Sequence, residues 1–180
     1  LAATRHLVAQ GHRRIAFLAW PGTSQTGYYR LQGYLDGMRE ACLPVDPEWI
    51  QLAGNFYEES YLAAQRLLAL PDERRPSAVV TSSDLMALGV INAGWDAGLE
   101  VGRTLAVVGF DDAPIARFLK PALTTLAQPI EETGERLVTM LIDAIDGRPG
   151  SERQVLLAPT LVVRDSTLVP YSQNVYLPKS

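Results

Sequence analysis

The chain alternates short continuous apolar runs with longer stretches in which apolar residues recur every three or four positions. The continuous runs predict strands that are buried on both faces, at residues 15–20, 49–53, 77–81 and 105–110. The three-to-four spacing predicts amphipathic helices, at residues 4–10, 28–41, 58–70, 85–97 and 130–145. This alternation of strands and helices predicts an α/β fold in which a parallel sheet is flanked by helices.

The pattern becomes less regular after the fourth predicted strand. The segment PALTTLAQP is rich in turn-forming residues and is interpreted as a connection. Pro159 interrupts the later apolar run VLLAPTLVVR, so part of that run is predicted to be an edge strand or a crossing segment. Residues 170–180 resemble an extension with little core of its own.

Composition limits the classes of protein to consider. With 180 residues the chain can bury the core of one ordinary domain or two small lobes, and its 47% apolar and 20% charged residues indicate a soluble globular protein. The net charge of −4 provides no field for holding a phosphate backbone, so this chain alone is not expected to bind nucleic acid. One cysteine, Cys42, and two histidines argue against a disulfide framework and a zinc site. Because the chain starts with Leu1 inside a helical pattern, we expect it to be a fragment.

Polar side chains collect where the predicted strands end. Ligands of open parallel sheets bind beyond these carboxyl ends, here at residues 20–23, 82–84 and 111–112. Arg30 offers a fork of hydrogen-bond donors, Asp111 a fork of acceptors and Phe56 an aromatic wall, which suits a polyol or sugar. Each has an alternative role. Arg30 could pair with a carboxylate on its own helix, Asp111 and Asp112 could cap the following turn, and Phe56 could belong to the core.

Catalysis is disfavoured by what the sequence lacks. No Gly-x-Ser-x-Gly elbow is present, and both histidines precede residue 13, so a serine hydrolase is not expected. The loop WPGTSQTG after the first predicted strand has neither common phosphate-binding glycine pattern. No third acidic residue lies near Asp111 and Asp112 in sequence to complete a metal site. We therefore expect no enzyme activity, no cofactor and no metal.

Several motifs in succession resemble one protein family. GHRRIAFLA is followed by Arg30 and Gly33 in YYRLQGY, then by SSDLMALGVINA, LAVVGFDD, PALTTLAQP and LVVRDST. Together they are similar to the effector-binding core of the lactose-repressor and galactose-repressor (LacI/GalR) family of bacterial transcription regulators, over residues 1–167. The resemblance implies a type I periplasmic-binding-protein-like fold, in which two α/β lobes joined by three crossovers hold a small ligand between them.

The resemblance also implies a division of the chain. Residues 1–127 form most of the carboxy-terminal effector-binding lobe, residues 128–150 cross to the amino-terminal lobe as a helix, and residues 151–167 return as a strand. Residues 168–180 are a tail. The helix-turn-helix head, the hinge helix and the first half of the amino-terminal lobe are not in this sequence, so the helix at 130–145 lacks the sheet that its apolar face expects.

The site and the partners follow from the same resemblance. Effector contacts are expected from Arg30, Phe56 and Asp111, with Gln32 a weaker candidate. Ser83 stands where sugar-binding members commonly have asparagine, which argues against a standard hexose, and Trp20 replaces a glycine at the cleft rim. Residues near a homodimer interface are expected to include Leu88, Phe118 and Leu119.

The predicted function is the ligand-sensing domain of a cytoplasmic regulator. A small effector, expected to be a carbohydrate, would control DNA binding allosterically, and operator DNA would be contacted only through the missing head, with no membrane involved. The alternative is a periplasmic sugar-binding protein of a transport system, which shares the two lobes and their closure on ligand.

Overall fold

A single six-stranded sheet organises the chain. The computed structural model describes residues 1–21, 24–148 and 154–167. Its strands are β1 (Ile15–Ala19), β2 (Ile50–Leu52), β3 (Ala78–Thr81), β4 (Ala106–Asp111), β5 (Thr124–Ala127) and β6 (Thr160–Val162). They lie in the order β2-β1-β3-β4-β5-β6; the first five are parallel, and β6 runs antiparallel to β5. The predicted α/β class with a parallel sheet is confirmed.

Five helices accompany the sheet in the described residues: α1 (Ala2–Ala9), α2 (Gln25–Glu40), α3 (Tyr57–Leu68), α4 (Asp84–Asp96) and α5 (Ile130–Ile145). Helix α1 packs against α2, and α3 packs against α4. Every residue of β1 and β3 is buried, so these helix pairs cover both faces of the central strands. This burial explains why β1 and β3 are continuous apolar runs in the sequence.

Helix α2 is fixed to the sheet by Tyr34. The Tyr34 ring stacks on Phe17 of β1 with 5.3 Å between ring centroids, and its hydroxyl donates a hydrogen bond to the carbonyl oxygen of Ile15 at 2.8 Å. The apolar ring and its polar tip are therefore both satisfied in the core. Residues four apart share a helix face, so Tyr34 also determines where Arg30 lies.

Strand β5 corrects the interpretation of PALTTLAQP as a connection. Thr124 and Thr125 lie in this strand and are fully buried. The Thr124 hydroxyl donates to the carbonyl oxygen of Arg164 at 3.0 Å, and the Thr125 hydroxyl donates to Asp84 Oδ1 at 2.5 Å. Threonine is β-branched and suits a strand, and these bonds satisfy its hydroxyl in the interior. The prediction of an edge strand in the last apolar run is confirmed, because β6 starts directly after Pro159.

Gly11 is typical of turns and predicts a turn position for the following His12, but the side chain of His12 is part of the interior. Only 2% of its surface is exposed, and its Nδ1 lies 2.9 Å from the Ser77 hydroxyl. Burial, with a smaller contribution from His6, lowers the pKa of His12 to about 4. The neutral imidazole is therefore the form that the fold favours.

Helix α5 differs from the other helices in having no buried residue. Its bounds match the predicted 130–145, and its apolar stripe is exposed at Ile130, Leu137, Val138, Leu141, Ile142 and Ile145. No α-helix in the described ranges combines the length and hydropathy of a bilayer span. Thr23 in the first strand end, residues 149–153, and the predicted extension at 170–180 lie outside the described residues.

Candidate functional site

The candidate site lies at the carboxyl edge of the sheet, where the strand order changes direction. The chain passes from β1 to β2 on one side and later adds β3 and β4 on the other, which opens a crevice beyond the ends of β1 and β3. Trp20 follows β1, Ser82 and Ser83 follow β3, and Asp111 is the last residue of β4. The fold thus gathers the predicted strand-end residues at one edge.

Arg30 reaches into this crevice from α2. Its side chain is only 12% exposed, and its Nη1 donates a hydrogen bond to the carbonyl oxygen of Ser82. The guanidinium carbon lies 3.6 Å from the centroid of the Phe110 ring and 4.7 Å from that of Trp20, which gives cation–π contact with both. Burial lowers the pKa of Arg30 and the neighbouring Asp111 opposes this change. The alternative of a carboxylate partner on the surface of α2 is wrong.

Asp111 faces Arg30 across a short gap. The distance from Arg30 Nη2 to Asp111 Oδ1 is 3.8 Å, which is longer than a hydrogen bond. Gln128 Nε2 donates to the same carboxylate oxygen at 2.7 Å, and 37% of the Asp111 side chain remains exposed. Burial raises the pKa of Asp111, while the Gln128 bond and Arg30 lower it. The pair therefore keeps free hydrogen-bonding capacity in the crevice.

The backbone at Asp111 and Asp112 is unusual. Their φ angles are 119° and 51°, in the region that residues with a side chain rarely adopt. Such residues cost on the order of 1–3 kcal/mol each and persist where surrounding contacts hold them. Here the Asp112 amide donates to Thr125 Oγ1 at 3.3 Å, and the Asp112 carboxylate accepts from Arg164 Nη2 at 2.6 Å. Asp112 therefore pairs with a distant arginine instead of capping the next turn.

Asp84 is a buried carboxylate behind the site. It is 2% exposed and accepts from the Ala113 amide at 2.7 Å and from Thr125 Oγ1 at 2.5 Å. Burial raises its pKa to about 6, against the effect of these two bonds. Asp84 is not the cap of α4, because Ser83 Oγ accepts from the Met86 amide at 3.3 Å and fills that role. Asp84 instead joins α4 to the residues after β4 and to β5.

Ser83 and Phe56 belong to two loops that meet at this edge. The Ser83 hydroxyl donates to Asn55 Oδ1 at 2.5 Å, and Asn55 lies in the exposed loop after β2. Phe56, the next residue, is 64% exposed, so the alternative that it is a core residue is wrong. Sequence reasoning missed Asn55 and Gln128, although each adjoins a segment that had been singled out.

Gln32 is not brought to the same place as Arg30. It is half-buried on α2, and residues two positions apart on a helix point to different sides. Tyr28 and Tyr29, one turn earlier, are exposed and pack edge to face at 5.7 Å. Nothing in the geometry supports Gln32 as a contact, and its role stays a prediction.

The residues expected near a dimer interface differ in exposure. Phe118 is 71% exposed, Leu88 is half-buried on α4, and Leu119 is half-buried against the core. The bond from the Ala113 amide to Asp84 ties the residue before the 3-10 turn Pro114–Arg117 to the start of α4, and the role of the three residues in an interface stays a prediction. Within the described ranges, no group of three or more histidine, cysteine or acidic side chains is placed to hold a metal ion.

A cavity adjoins the Arg30 and Asp111 pair. The residues that line it include Phe110, Gln128, Val155 and Leu157. Phe110 also stacks on Arg30 and Gln128 also binds Asp111, so the cavity shares two residues with the site. The arrangement combines two charged groups with apolar walls, which suits a small polar ligand that also has an apolar surface. Among the described residues that line the cavity, no nucleophile is paired with a base.

Comparisons with known proteins agree on one family. Residues 4–167 match the family described as periplasmic binding protein-like domain. The transcriptional repressor CytR of Escherichia coli K12 is 37% identical over 165 residues, which cover 92% of this chain and 48% of the repressor. The chain therefore spans about half the length of the curated relatives it matches.

Solved structures extend the likeness to the fold. A regulatory protein of the LacI family from Chloroflexus aggregans superposes with a TM-score of 0.89 at 41% identity, covering 92% of this chain and 59% of that one. The complex of the transcriptional regulator CelR with cellobiose superposes with a TM-score of 0.82 at 33% identity, covering 91% and 49% of the two chains.

Proposed function

The chain belongs to the periplasmic binding protein-like domain family and to the LacI family of regulators, and from this membership we propose that it is the effector-binding part of a transcriptional regulator. The likeness to CytR, a transcriptional repressor, supports a regulatory domain. The observation that carries the proposal is the 3.8 Å gap between Arg30 and Asp111 at the crevice of the sheet.

The gap suits a ligand hydroxyl. A hydroxyl group accepts one hydrogen bond and donates another, so one hydroxyl placed between the two side chains satisfies both the guanidinium and the carboxylate. Each such bond to a charged group is stronger than one between neutral groups. Arg30 is already held by the carbonyl of Ser82 and by two aromatic rings, so little side-chain freedom is lost when a ligand binds.

We propose that the effector is a carbohydrate or a compound that carries one. Phe56, next to Asn55, and Tyr28 and Tyr29, which precede Arg30 on α2, have exposed rings, and such rings suit the apolar face of a sugar. CelR, a relative in structure, was solved with cellobiose. Position 83 is serine where sugar-binding members of the family commonly have asparagine. The Asn55 side chain lies beside the Ser83 hydroxyl and brings an amide group to the same place.

Replacing Arg30 by alanine is expected to weaken effector binding about 100-fold. The bond from Arg30 to the ligand hydroxyl is lost and the Asp111 carboxylate is left without its cation, which together correspond to roughly 3 kcal/mol. The measurement is calorimetric titration of the full-length regulator with mono- and disaccharides, cellobiose included, and separately with nucleosides. Nucleosides are included because they combine hydroxyls with a planar ring.

The matched control is Arg39→Ala, on the same helix. Arg39 is exposed and pairs with Asp36 on the surface, so its removal should leave affinity unchanged. Unchanged affinity in Arg30→Ala would remove Arg30 from the site. Binding of nucleosides without any free saccharide would restrict the effector to compounds that carry a sugar. Binding of neither class would overturn the carbohydrate assignment.

Control of DNA binding is proposed to operate through relative movement of two lobes. Residues 1–127 would form one lobe, and α5 would belong to the other. The exposed apolar stripe of α5 supports this division, because such a face is normally buried. The effector can shift the balance only by its different affinity for the two lobe arrangements. Operator DNA, in the cytoplasm, would be contacted by a separate head.

The regulator is proposed to be a homodimer through the surface that Leu88, Phe118 and Leu119 border. Replacing Phe118 by glutamate is expected to shift the full-length protein from dimer to monomer in sedimentation velocity, because charge would be buried in an apolar contact. Leu52→Glu on the edge strand β2, where an exposed leucine is also replaced, should leave the dimer intact. A dimer unaffected by Phe118→Glu would place the interface elsewhere.

A further inference from the structure

We propose that Arg164 is a positioning residue of the candidate site: it holds the left-handed turn at Asp111 and Asp112 that aims the Asp111 carboxylate at Arg30. The inference rests on the proposed function of that site. It assigns a role to a residue that lies 53 positions after Asp111 in the sequence, beyond β6.

Arg164 grips the turn with one guanidinium. Its Nη2 donates to Asp112 Oδ1 at 2.6 Å, and its Nη1 donates to the carbonyl oxygen of Leu123 at 2.8 Å. The Arg164 and Asp112 side chains are 16% and 20% exposed, so water screens the pair weakly. Leu123 is fully buried ahead of β5 and provides a fixed second point. The turn is thereby tied to the neighbouring strand.

Arg164 is itself fixed in place by hydroxyl groups. Its amide donates to Thr124 Oγ1 at 2.8 Å, and its carbonyl oxygen accepts from the same hydroxyl at 3.0 Å. Two residues later, Ser166 Oγ donates to the carbonyl of Val107 at 2.6 Å and accepts from the Thr124 amide at 2.8 Å. Both β4 and β5 therefore hold the segment around Arg164, which makes its side chain a rigid support.

The turn needs such support because its backbone is strained. Asp111 and Asp112 are consecutive residues with positive φ and side chains, and neither is glycine. Besides Arg164, two residues hold the turn: the Thr125 hydroxyl accepts a hydrogen bond from the Asp112 amide, and Gln128 donates one to the Asp111 carboxylate. Without Arg164 the Asp112 carboxylate would lose its cation in a poorly hydrated place. The turn would then relax to negative φ and carry the Asp111 carboxylate away from Arg30.

The first test needs no effector. In Arg164→Gln, carbon-13 NMR titration of the carboxyl groups is expected to show the pKa of Asp111 returning toward its ordinary value, because a released side chain is hydrated. Arg30, Asp84 and Asp112 are the charged neighbours, and all are retained. Arg148→Gln is the control, since the contacts of Arg148 with the described residues include pairs with Asp143 and Asp146 at the end of α5, and 63% of its own side chain is exposed. Asp111 should titrate there as in the parent chain.

The second test asks whether Arg164 acts through Asp111. With cellobiose as probe on the full-length regulator, Arg164→Gln should weaken binding about 10-fold, and this effect should vanish when Asp111 is already asparagine. If cellobiose does not bind, this result counts against the carbohydrate proposal. The NMR titration of Asp111 still tests the role of Arg164, because it needs no effector.

A third variant covers poor folding. If Arg164→Gln does not fold, Asp112→Asn keeps the size of the side chain, removes the ion pair and should move Asp111 in the same way. A folded Arg164→Gln or Asp112→Asn in which Asp111 titrates as in the parent and a crystal structure retains both positive φ angles would overturn the proposal.

Discussion

Replacing Gly102 by alanine is expected to lower the free energy of unfolding by about 2–4 kcal/mol. Gly102 has a φ of 91°, and a Cβ built there would collide with the carbonyl oxygen of Asp165. The left-handed backbone costs an L residue roughly 1 kcal/mol, and forcing the backbone of the Asp165 segment away adds about 1–3 kcal/mol. Urea unfolding of the variant and the parent chain, at matched slope, gives the difference.

Two further glycines provide controls for the separate contributions. Gly98 has a φ of 72° with no atom near a built Cβ, so Gly98→Ala should show the backbone cost alone, about 1 kcal/mol. Gly134 lies inside α5 with open space around it, so Gly134→Ala should stabilise the helix by up to about 1 kcal/mol. Equal losses in Gly102→Ala and Gly98→Ala would show that the Asp165 segment yields freely.

The second large effect concerns the free energy of unfolding. His12 and Asp84 make it depend on pH in opposite directions between pH 4 and 6.5. His12 has a pKa of about 4 in the fold, below its ordinary 6.5, so its contribution is complete above pH 6.5 and is lost as the pH falls toward 4. Asp84 has a pKa of about 6, above its ordinary 3.8, so its contribution is complete below pH 3.8 and is lost as the pH rises through 6. Each amounts to about 3 kcal/mol.

The two contributions nearly cancel in the parent chain between pH 4 and 6.5. As the pH falls across this window, the free energy of unfolding of His12→Gln should therefore rise by about 3 kcal/mol relative to the parent. That of Asp84→Asn should fall by about 3 kcal/mol relative to the parent. Urea unfolding at several pH values compares these slopes, which do not depend on the absolute cost of each substitution. The double variant should recover the slope of the parent. Single variants that keep the slope of the parent would contradict the assignment to His12 and Asp84.

Much of the fold could be predicted because its periodic signals are local. The helix at 130–145 was predicted with the bounds it has, since its apolar stripe recurs every three or four residues without interruption. The strands β1 and β3 were visible as continuous apolar runs because both of their faces are covered. These features depend on residues within one element, and the sequence displays them directly.

Strand β5 and His12 were missed because distant partners determine them. The threonines of β5 look like loop residues between Pro121 and Pro129, and only the carbonyl of Arg164 and the Asp84 carboxylate make them suitable for the interior. Gly11 is a sound turn signal, but the side chain of the following His12 turns inward to the Ser77 hydroxyl, 65 residues later. Hydrogen bonds of this range have no periodic trace in a sequence.

The candidate site also contains residues that could be predicted from the sequence and residues that could not. Arg30 and Asp111 could be anticipated from strand ends and from the family resemblance, and the structure brings them within 3.8 Å. Asn55 beside Ser83 and Arg164 beside Asp112 could not, since each contact joins loops or termini of separate elements. The supporting partners of a site are set by tertiary structure, and a motif of one segment does not contain them.

Trp20 lies where its fluorescence is expected to change when a ligand binds. The ring lies 4.7 Å from the Arg30 guanidinium, while the indole N–H of Trp49 donates to the carbonyl of Arg74, beyond the other end of the sheet. A molecule that displaces water beside Arg30 changes the polarity around the Trp20 indole and hence its fluorescence emission. Occupancy of the crevice can therefore be followed in solution without attaching a dye.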